Sequence, residues 1–314
     1  AVHAILDYNL LMKIVPTILG PTASGKTDLS IRLAKTINGE VIGLDSRQIY
    51  QNIPIGTAQP TKKEMKGIVH HLIGNKPLGQ SVSAGQYAKL VYKCIKKIWI
   101  KGKKPIVCGG AGLYYRALNK GIFDESKTDL NIRKKLEKMY DDGRALEMHS
   151  ELKKIDPQYS LLVHINNKKR LIRALEVYES TGKPMSENFD SSSKNSRYAN
   201  DYYFVYLKMH NDLLHPRILR RIKCMIDDGM TNEVEKIIKS KINISHIDYI
   251  GFKEISSFIN KEISINEAVE NIFVRTRQYA KRQKKWFNVN NYDISFDLHE
   301  ISKNDIVDKL IQIN

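Results

Sequence analysis

Cysteine is scarce. The 314 residues contain three, Cys94, Cys108 and Cys224. None stands in C-x-x-C spacing, so neither a zinc site nor a disulfide framework is predicted, and a reduced, cytoplasmic setting is expected. Long apolar runs are also missing. Nothing approaches the roughly 18–20 residues of a membrane-spanning helix. The segment Ala1–Leu11 is mildly apolar but has no basic n-region or clear cleavage site, which argues against a signal peptide. Met12-Lys13 reads as a natural start, with residues 1–11 as an upstream extension. No internal repeat is visible. Acidic residues are outnumbered, 34 against 51 Lys and Arg, for a net charge of +17. Such an excess points to a polyanionic partner; solubility or a basic proteome is the plainer account.

Residues 20–27, Gly20-Pro21-Thr22-Ala23-Ser24-Gly25-Lys26-Thr27, form a complete G-x-x-x-x-G-K-S/T loop. The apolar run Ile14–Leu19 precedes it and an amphipathic run, Asp28–Ile37, follows. Strand, glycine loop and helix are the context that gives this motif meaning. Its N–H groups and the helix N-terminus offer a phosphate site. Lys26 adds a mobile positive charge and Thr27 a hydroxyl suited to Mg²⁺. The motif does not distinguish moving a phosphate from letting one leave.

Further strand-like runs at Glu40–Leu44 and Pro105–Cys108 alternate with helical patterns at Lys62–Gly67 and Ala84–Lys101. The alternation predicts an α/β fold, a parallel sheet covered by helices. At about Asp124 the pattern changes. Residues 128–182 hold helix formers and many charges without a convincing strand, which predicts a helical insertion over 125–200. Ser186–Asn200 reads as a connection. The sheet resumes at Tyr202–Met209, with helices at Leu213–Asp228, Thr231–Ser240 and Ile265–Phe287. The expected core is therefore 12–124 with 201–314.

Asp45 ends the second strand, where open α/β sheets bind ligands. It suits a general base or an Mg²⁺-linked carboxylate, and equally the cap of the next helix. The run Ile106-Val107-Cys108 leads into Gly109-Gly110-Ala111-Gly112 with no acid at its end. Phosphate-loop NTPases usually hold Mg²⁺ with a carboxylate there, so motor and GTPase readings weaken. His70-His71 follows a helical stretch; a structural or phosphate-contacting role suits it better than a joint metal site. Two basic segments, Asn166–Leu175 and Arg275–Phe287, interleave Lys and Arg with apolar or aromatic residues. Each alone reads as a solvated face, but together in so basic a chain they favour RNA. Arg217, in His215–Arg221, could return to the phosphate loop and neutralise a diphosphate, or form a surface ion pair.

GPTASGKT, DSRQIY, IGTAQPT, HHLIG, SAGQYA, GGAGLYYRAL, NNKKRLIRALEVYESTGKP, YIGFKE and RTRQYAKRQKKWF occur in this order. Over Met12–Phe287 this set resembles the bacterial-type tRNA dimethylallyltransferases (tRNA isopentenyltransferases). The resemblance implies a phosphate-loop NTPase-like core with a helical insertion, Mg²⁺ as cofactor, and a monomer. It also implies transfer of the dimethylallyl group of dimethylallyl diphosphate to N6 of adenosine-37, beside the anticodon, in tRNAs with adenosines at positions 36–38. The adenine would be flipped out to expose its amine. Asp45 would accept the N6 proton, Thr27 would lie near the leaving oxygen, and Lys26, Mg²⁺ and Arg217 would stabilise its charge. Ser46, Arg47 and Gln48 would hold the base or its neighbours. Arg133, Lys169, Arg170, Leu171, Ile172 and Arg173, with the loop Tyr249, Ile250, Gly251, Phe252 and Lys253, match regions that contact the anticodon arm.

The chain departs from the family at Ala111, where a Thr that touches substrate is usual, at a cost of about 1 kcal/mol if unreplaced. Lys169 stands where Gln is usual, and the zinc finger of the eukaryotic members is absent. Three rivals remain: a small-molecule kinase, an adenylate isopentenyltransferase, and an RNA-binding protein with a relic loop. The basic segments oppose the first, the insertion opposes the second, and the combination of Lys26, Thr27 and Asp45 opposes the third.

Overall fold

The computed structural model describes residues 14–120, 129–187, 202–244, 247, 249–288 and 292–313. The expectations for residues 1–11, for the pattern change near Asp124, and for all but the first two residues of the Ser186–Asn200 connection lie outside them. The chain forms two compact units, Ala1–Tyr115 with Asn200–Asn314, and Arg116–Ala199.

In chain order the elements are β1 (Val15–Leu19), α1 (Lys26–Thr36), β2 (Gly39–Leu44), α2 (Lys62–Met65), β3 (His70–His71), α3 (Ala84–Ile100), β4 (Lys104–Gly109) and α4 (Gly112–Lys120). Then come α5 (Leu130–Asp141), α6 (Ala145–Ile155), α7 (Pro157–Ser160) and α8 (Lys168–Thr181). The rest are β5 (Tyr202–Lys208), α9 (Asn211–Asp227), α10 (Met230–Ser240), α11 (Phe252–Ile259), α12 (Ile265–Asn288), β6 (Ile294–Asp297) and α13 (Lys303–Ile313).

The first unit holds a six-stranded sheet in the order β3-β2-β4-β1-β5-β6, with every pairing parallel. Every residue of β1 and β2 is buried, as expected where helices cover both faces of a parallel sheet. Ile18, Leu29, Leu33, Val41, Ile106 and Leu207 pack there with Ile306 and Leu310 of α13. The loop after β1 therefore opens at the carboxyl edge of the sheet, beside the ends of β2 and β4.

Periodicity misses both edge strands. β3 and β6 have only two and four residues, too short for a period to register. His70-His71 itself forms the edge strand β3, paired with Val41 and Ile42. His71 Nε2 donates to Glu40 Oε2 at 2.7 Å and His70 Nδ1 to the Ile68 carbonyl at 2.9 Å. Their role is structural. Burial pushes the Glu40 carboxyl up, but hydrogen bonds from His71, Lys103 and Lys101 outweigh that and hold it at about 2.

The second unit is helical. Asp129, Asp156 and Asn167 cap the N-termini of α5, α7 and α8 through their side chains, and Gly182 ends α8 in the left-handed conformation. Leu136, Met148, Leu152, Val163, Leu171, Ile172 and Leu175 form its core. Among the described residues of the whole chain, no helix is long and apolar enough to cross a membrane.

Candidate active site

A cavity of about 450 Å³ opens above the carboxyl edge of the sheet in the first unit. Thr22, Ala23, Gly25, Lys26 and Thr27 form its floor, Asp45, Arg47 and Gln48 one wall, and Gly109 and Gly110 another. Gly25 caps α1 at φ 88° without a side-chain hydrogen bond, a conformation that glycine adopts without strain. The α1 N-terminus is thus bare toward the cavity, where its dipole favours an anion. Lys26 Nζ donates to the Pro21 carbonyl at 2.7 Å. Burial pushes its ammonium down to about 8, with Arg221 adding to the fall and Asp45 opposing it.

Arg217 arrives from α9, nearly two hundred residues along the chain, and its Nε donates to the Ala23 carbonyl at 2.8 Å. Arg221, one helical turn further on, reaches the Thr22 hydroxyl at 3.3 Å. Asp45 Oδ1 accepts the N–H groups of Arg47 at 2.9 Å and Gln48 at 3.3 Å. No helix follows Asp45 for it to cap: one of its oxygens fixes a turn at 46–49 instead, and the carboxylate lines the cavity. The fully buried Tyr87 supports this strand end, donating to the Gly43 carbonyl at 2.6 Å and accepting the Asp45 N–H at 3.4 Å.

Two contributors are not singled out by the sequence reading, Gln283 although it lies within RTRQYAKRQKKWF and Lys303 beyond every motif. Gln283 of α12, 6% exposed, accepts the Thr22 N–H at 2.8 Å and donates to the Gly110 carbonyl at 2.8 Å. One amide thereby ties the phosphate loop to the glycine turn. A Cβ on Gly110 would come within 2.4 Å of that amide nitrogen, so the turn needs glycine there. Lys303 lines the cavity and pairs with Asp28 at 2.7 Å. No spacing in the sequence announces either contact, because each partner comes from the far end of the chain.

Several side chains expected to contact RNA are engaged by the protein itself or set back from the cavity. Arg47 stacks on the Tyr279 ring at 4.7 Å. Gln48 donates to the carbonyls of Thr57 and Ala58. Ser46 lines a smaller neighbouring pocket. Ala111 does not line the cavity; its N–H meets the Leu44 carbonyl at 3.4 Å. Tyr249 is 4% exposed and donates to Glu233 at 2.5 Å. That carboxylate also accepts the N–H groups of Ile55 and Gly56, so Tyr249 braces a loop from inside. Gly251 is buried, Phe252 half-buried, Lys253 exposed, and Ile250 lines the cavity.

In the second unit Lys169 and Arg170 are exposed, whereas Leu171 and Ile172 are core residues. Their side chains are closed into the core, which leaves only their backbone to meet RNA. Arg133 and Arg173 reach the fully buried Glu176 at 3.9 and 3.2 Å. Interleaved aromatics in α12 also pack inward: Phe287 is 1% exposed, and Trp286 meets Tyr115 edge-on at 5.6 Å. The one cluster of three metal-ligand types among the described residues, His210, Asp212 and His299, is exposed and far from motif spacing.

The IPP transferase family model matches residues 48–290. The chain is 42% identical to the tRNA dimethylallyltransferase of Acetivibrio thermocellus, over 87% of this chain and 88% of that one. It is 40% identical to that of Bacillus pumilus, over 90% and 89%. Among solved structures, the full-length tRNA isopentenylpyrophosphate transferase from Bacillus halodurans is similar at TM-score 0.67 and 33% identity, covering 95% of this chain and 94% of that one. A eukaryotic dimethylallyltransferase, captured acting on tRNA, is similar at TM-score 0.72 and 30% identity, covering 87% and 69%. With a phosphate loop, a strand-end Asp and a returning Arg around one cavity, the chain belongs to the IPP transferase family.

Proposed function

We propose that this chain transfers the dimethylallyl group of dimethylallyl diphosphate to N6 of adenosine-37 in tRNAs with adenosines at positions 36–38, acting as a cytoplasmic monomer. The observation that supports this best is the meeting of Lys26, Thr27 and Arg217 with one carboxylate, Asp45, around a single cavity. Cations on one side suit a departing diphosphate; a carboxylate beside them suits an amine that must lose a proton.

The N6 lone pair attacks the allylic carbon, and the carbon–oxygen bond breaks with its electron pair leaving on diphosphate. The N6 proton passes to the Asp45 carboxylate. Lys26, Arg217 and the loop N–H groups receive the charge that develops on the leaving oxygen. The oxygen donors here fit a hard divalent cation, and Thr27 would hold Mg²⁺, which when bound shields the diphosphate charge. Lys169, Arg170 and Lys253, all exposed, are suited to phosphates of the anticodon arm.

Labelled dimethylallyl diphosphate with Mg²⁺ is offered with unmodified tRNA, with AMP, or with ATP and small alcohols. Label is expected on tRNA alone, and Asp45→Ala should lower transfer by about 10²–10⁴-fold while tRNA affinity is retained. Label on AMP, or ATP turnover without tRNA, would point to an adenylate isopentenyltransferase or a kinase instead.

A further inference from the structure

Lys303 is the first residue of α13 and lies C-terminal to the stretch matched by the family model. Its helix is firmly seated. Ile306, Val307 and Leu310 are buried in the sheet core, and Asn304 Oδ1 accepts from Arg32 at 2.8 Å. The lysine side chain is 26% exposed. A Cβ built on Gly25 would meet Lys303 Nζ at 2.9 Å and an Arg217 guanidinium nitrogen at 3.3 Å. Two cations therefore flank one backbone point of the phosphate loop, at the bare N-terminus of α1.

Only one of the two cations has an anionic partner shown here. Lys303 pairs with Asp28 Oδ2 at 2.7 Å, while Arg217 donates to a carbonyl. Arg32 reaches the same Asp28 oxygen at 3.1 Å. Asp28 thus keeps a cation if Lys303 departs, and Arg32 with Asn304 keeps α13 tied to α1. The lysine is dispensable as a tether and well placed for an anion.

We propose that Lys303 is a further diphosphate-binding residue. It rests on Asp28 in the free protein and turns to the diphosphate when the loop is filled, adding its charge to those of Lys26 and Arg217. This rests on the prenyl-transfer reading of the cavity and names a group that the reading does not require.

The test titrates inorganic pyrophosphate with Mg²⁺ into the full chain by calorimetry and compares Lys303→Gln, Lys303→Arg and Asp28→Asn. Lys303→Gln should weaken pyrophosphate binding at least about tenfold, the scale of a lost charged hydrogen bond. It should raise KM for dimethylallyl diphosphate while leaving KM for tRNA unchanged. Lys303→Arg should restore most of the affinity. Asp28→Asn, by releasing the lysine, should leave pyrophosphate affinity equal or higher. A purely structural ion pair predicts the reverse: Asp28→Asn and Lys303→Gln would weaken binding alike. Affinity of a folded Lys303→Gln variant within about twofold of the parent, below one hydrogen bond's worth, would overturn the proposal. If the parent itself binds no pyrophosphate, the reading of the cavity falls first.

Discussion

Lys26 and Arg217 in the cavity of the first unit are held differently from Arg133, Lys168 and Arg173 in the helical second unit. In the second unit cations meet carboxylates. Arg133 reaches Glu137 at 3.1 Å, Arg173 reaches Glu176 at 3.2 Å and Lys168 reaches Asp141 at 2.5 Å. In the cavity, Lys26 and Arg217 meet the carbonyls of Pro21 and Ala23. A carboxylate neutralises its partner, whereas a carbonyl orients a cation and leaves its charge for an incoming anion. A net charge of +17 therefore says less about where a polyanion binds than the identity of each cation's partner does.

The sharpest way to break this comparison is Arg217→Met. If the carbonyl-held arginine is reserved for the leaving group, transfer at saturating tRNA should fall by about 10²–10³-fold, the cost of one aimed donor. The melting temperature should shift by no more than about 4 °C, because no carboxylate loses its partner. Single-turnover transfer and a thermal melt read both. A fall in stability with transfer intact would place Arg217 with the cations of the second unit.

Glu176→Gln tests the other half. Glu176 is fully buried, with Arg173 at 3.2 Å and Arg133 at 3.9 Å. Removing its charge should destabilise the chain by about 2 kcal/mol, below the usual cost of breaking a wholly buried pair because both arginines are partly exposed. Urea unfolding measures the loss, and pyrophosphate affinity should stay unchanged. Weakened pyrophosphate binding would mean that the two units do not divide the labour in this way.

Legibility in the sequence followed the same divide. Gly20–Thr27 and Asp45 could be placed because each sits at a strand end with a local signature, and Arg217 because a basic helix start follows the resumed strand. The α/β alternation was equally readable, since β1, β2, β4 and β5 are long enough to show an apolar run. The two short edge strands were not. Gln283 and Lys303 were invisible for a different reason: each meets its partner across more than 250 residues, at Thr22 and Asp28, and neither partner changes the local pattern. The burial of Leu171, Ile172 and Tyr249 was not legible, because a motif gives residue types in order, not which way each side chain faces. Leu171 and Ile172 lie on the inner face of α8, and Tyr249 is held by Glu233.

The finest test uses pH. Lys26 has its ammonium pushed down to about 8 by burial, against an ordinary value of 10.5. Diphosphate binds the charged form, so affinity should be level below pH 8 and then fall by up to about tenfold per unit. Stability should move the opposite way. Between pH 8 and 10.5 the unfolded chain holds the Lys26 proton and the folded chain does not, so this residue's contribution makes the free protein more stable as pH rises. The same burial thus makes the charged lysine costly to hold in the empty cavity at neutral pH, and an incoming anion offsets that cost. Calorimetry with pyrophosphate and thermal melts from pH 7 to 10, each compared with Lys26→Met, isolate the lysine from other titrating groups and from pyrophosphate itself. Affinity and stability that both stay level from pH 7 to 10 relative to Lys26→Met would show that Lys26 keeps its proton in the empty cavity, and that its carbonyl partner suffices to hold the charge there.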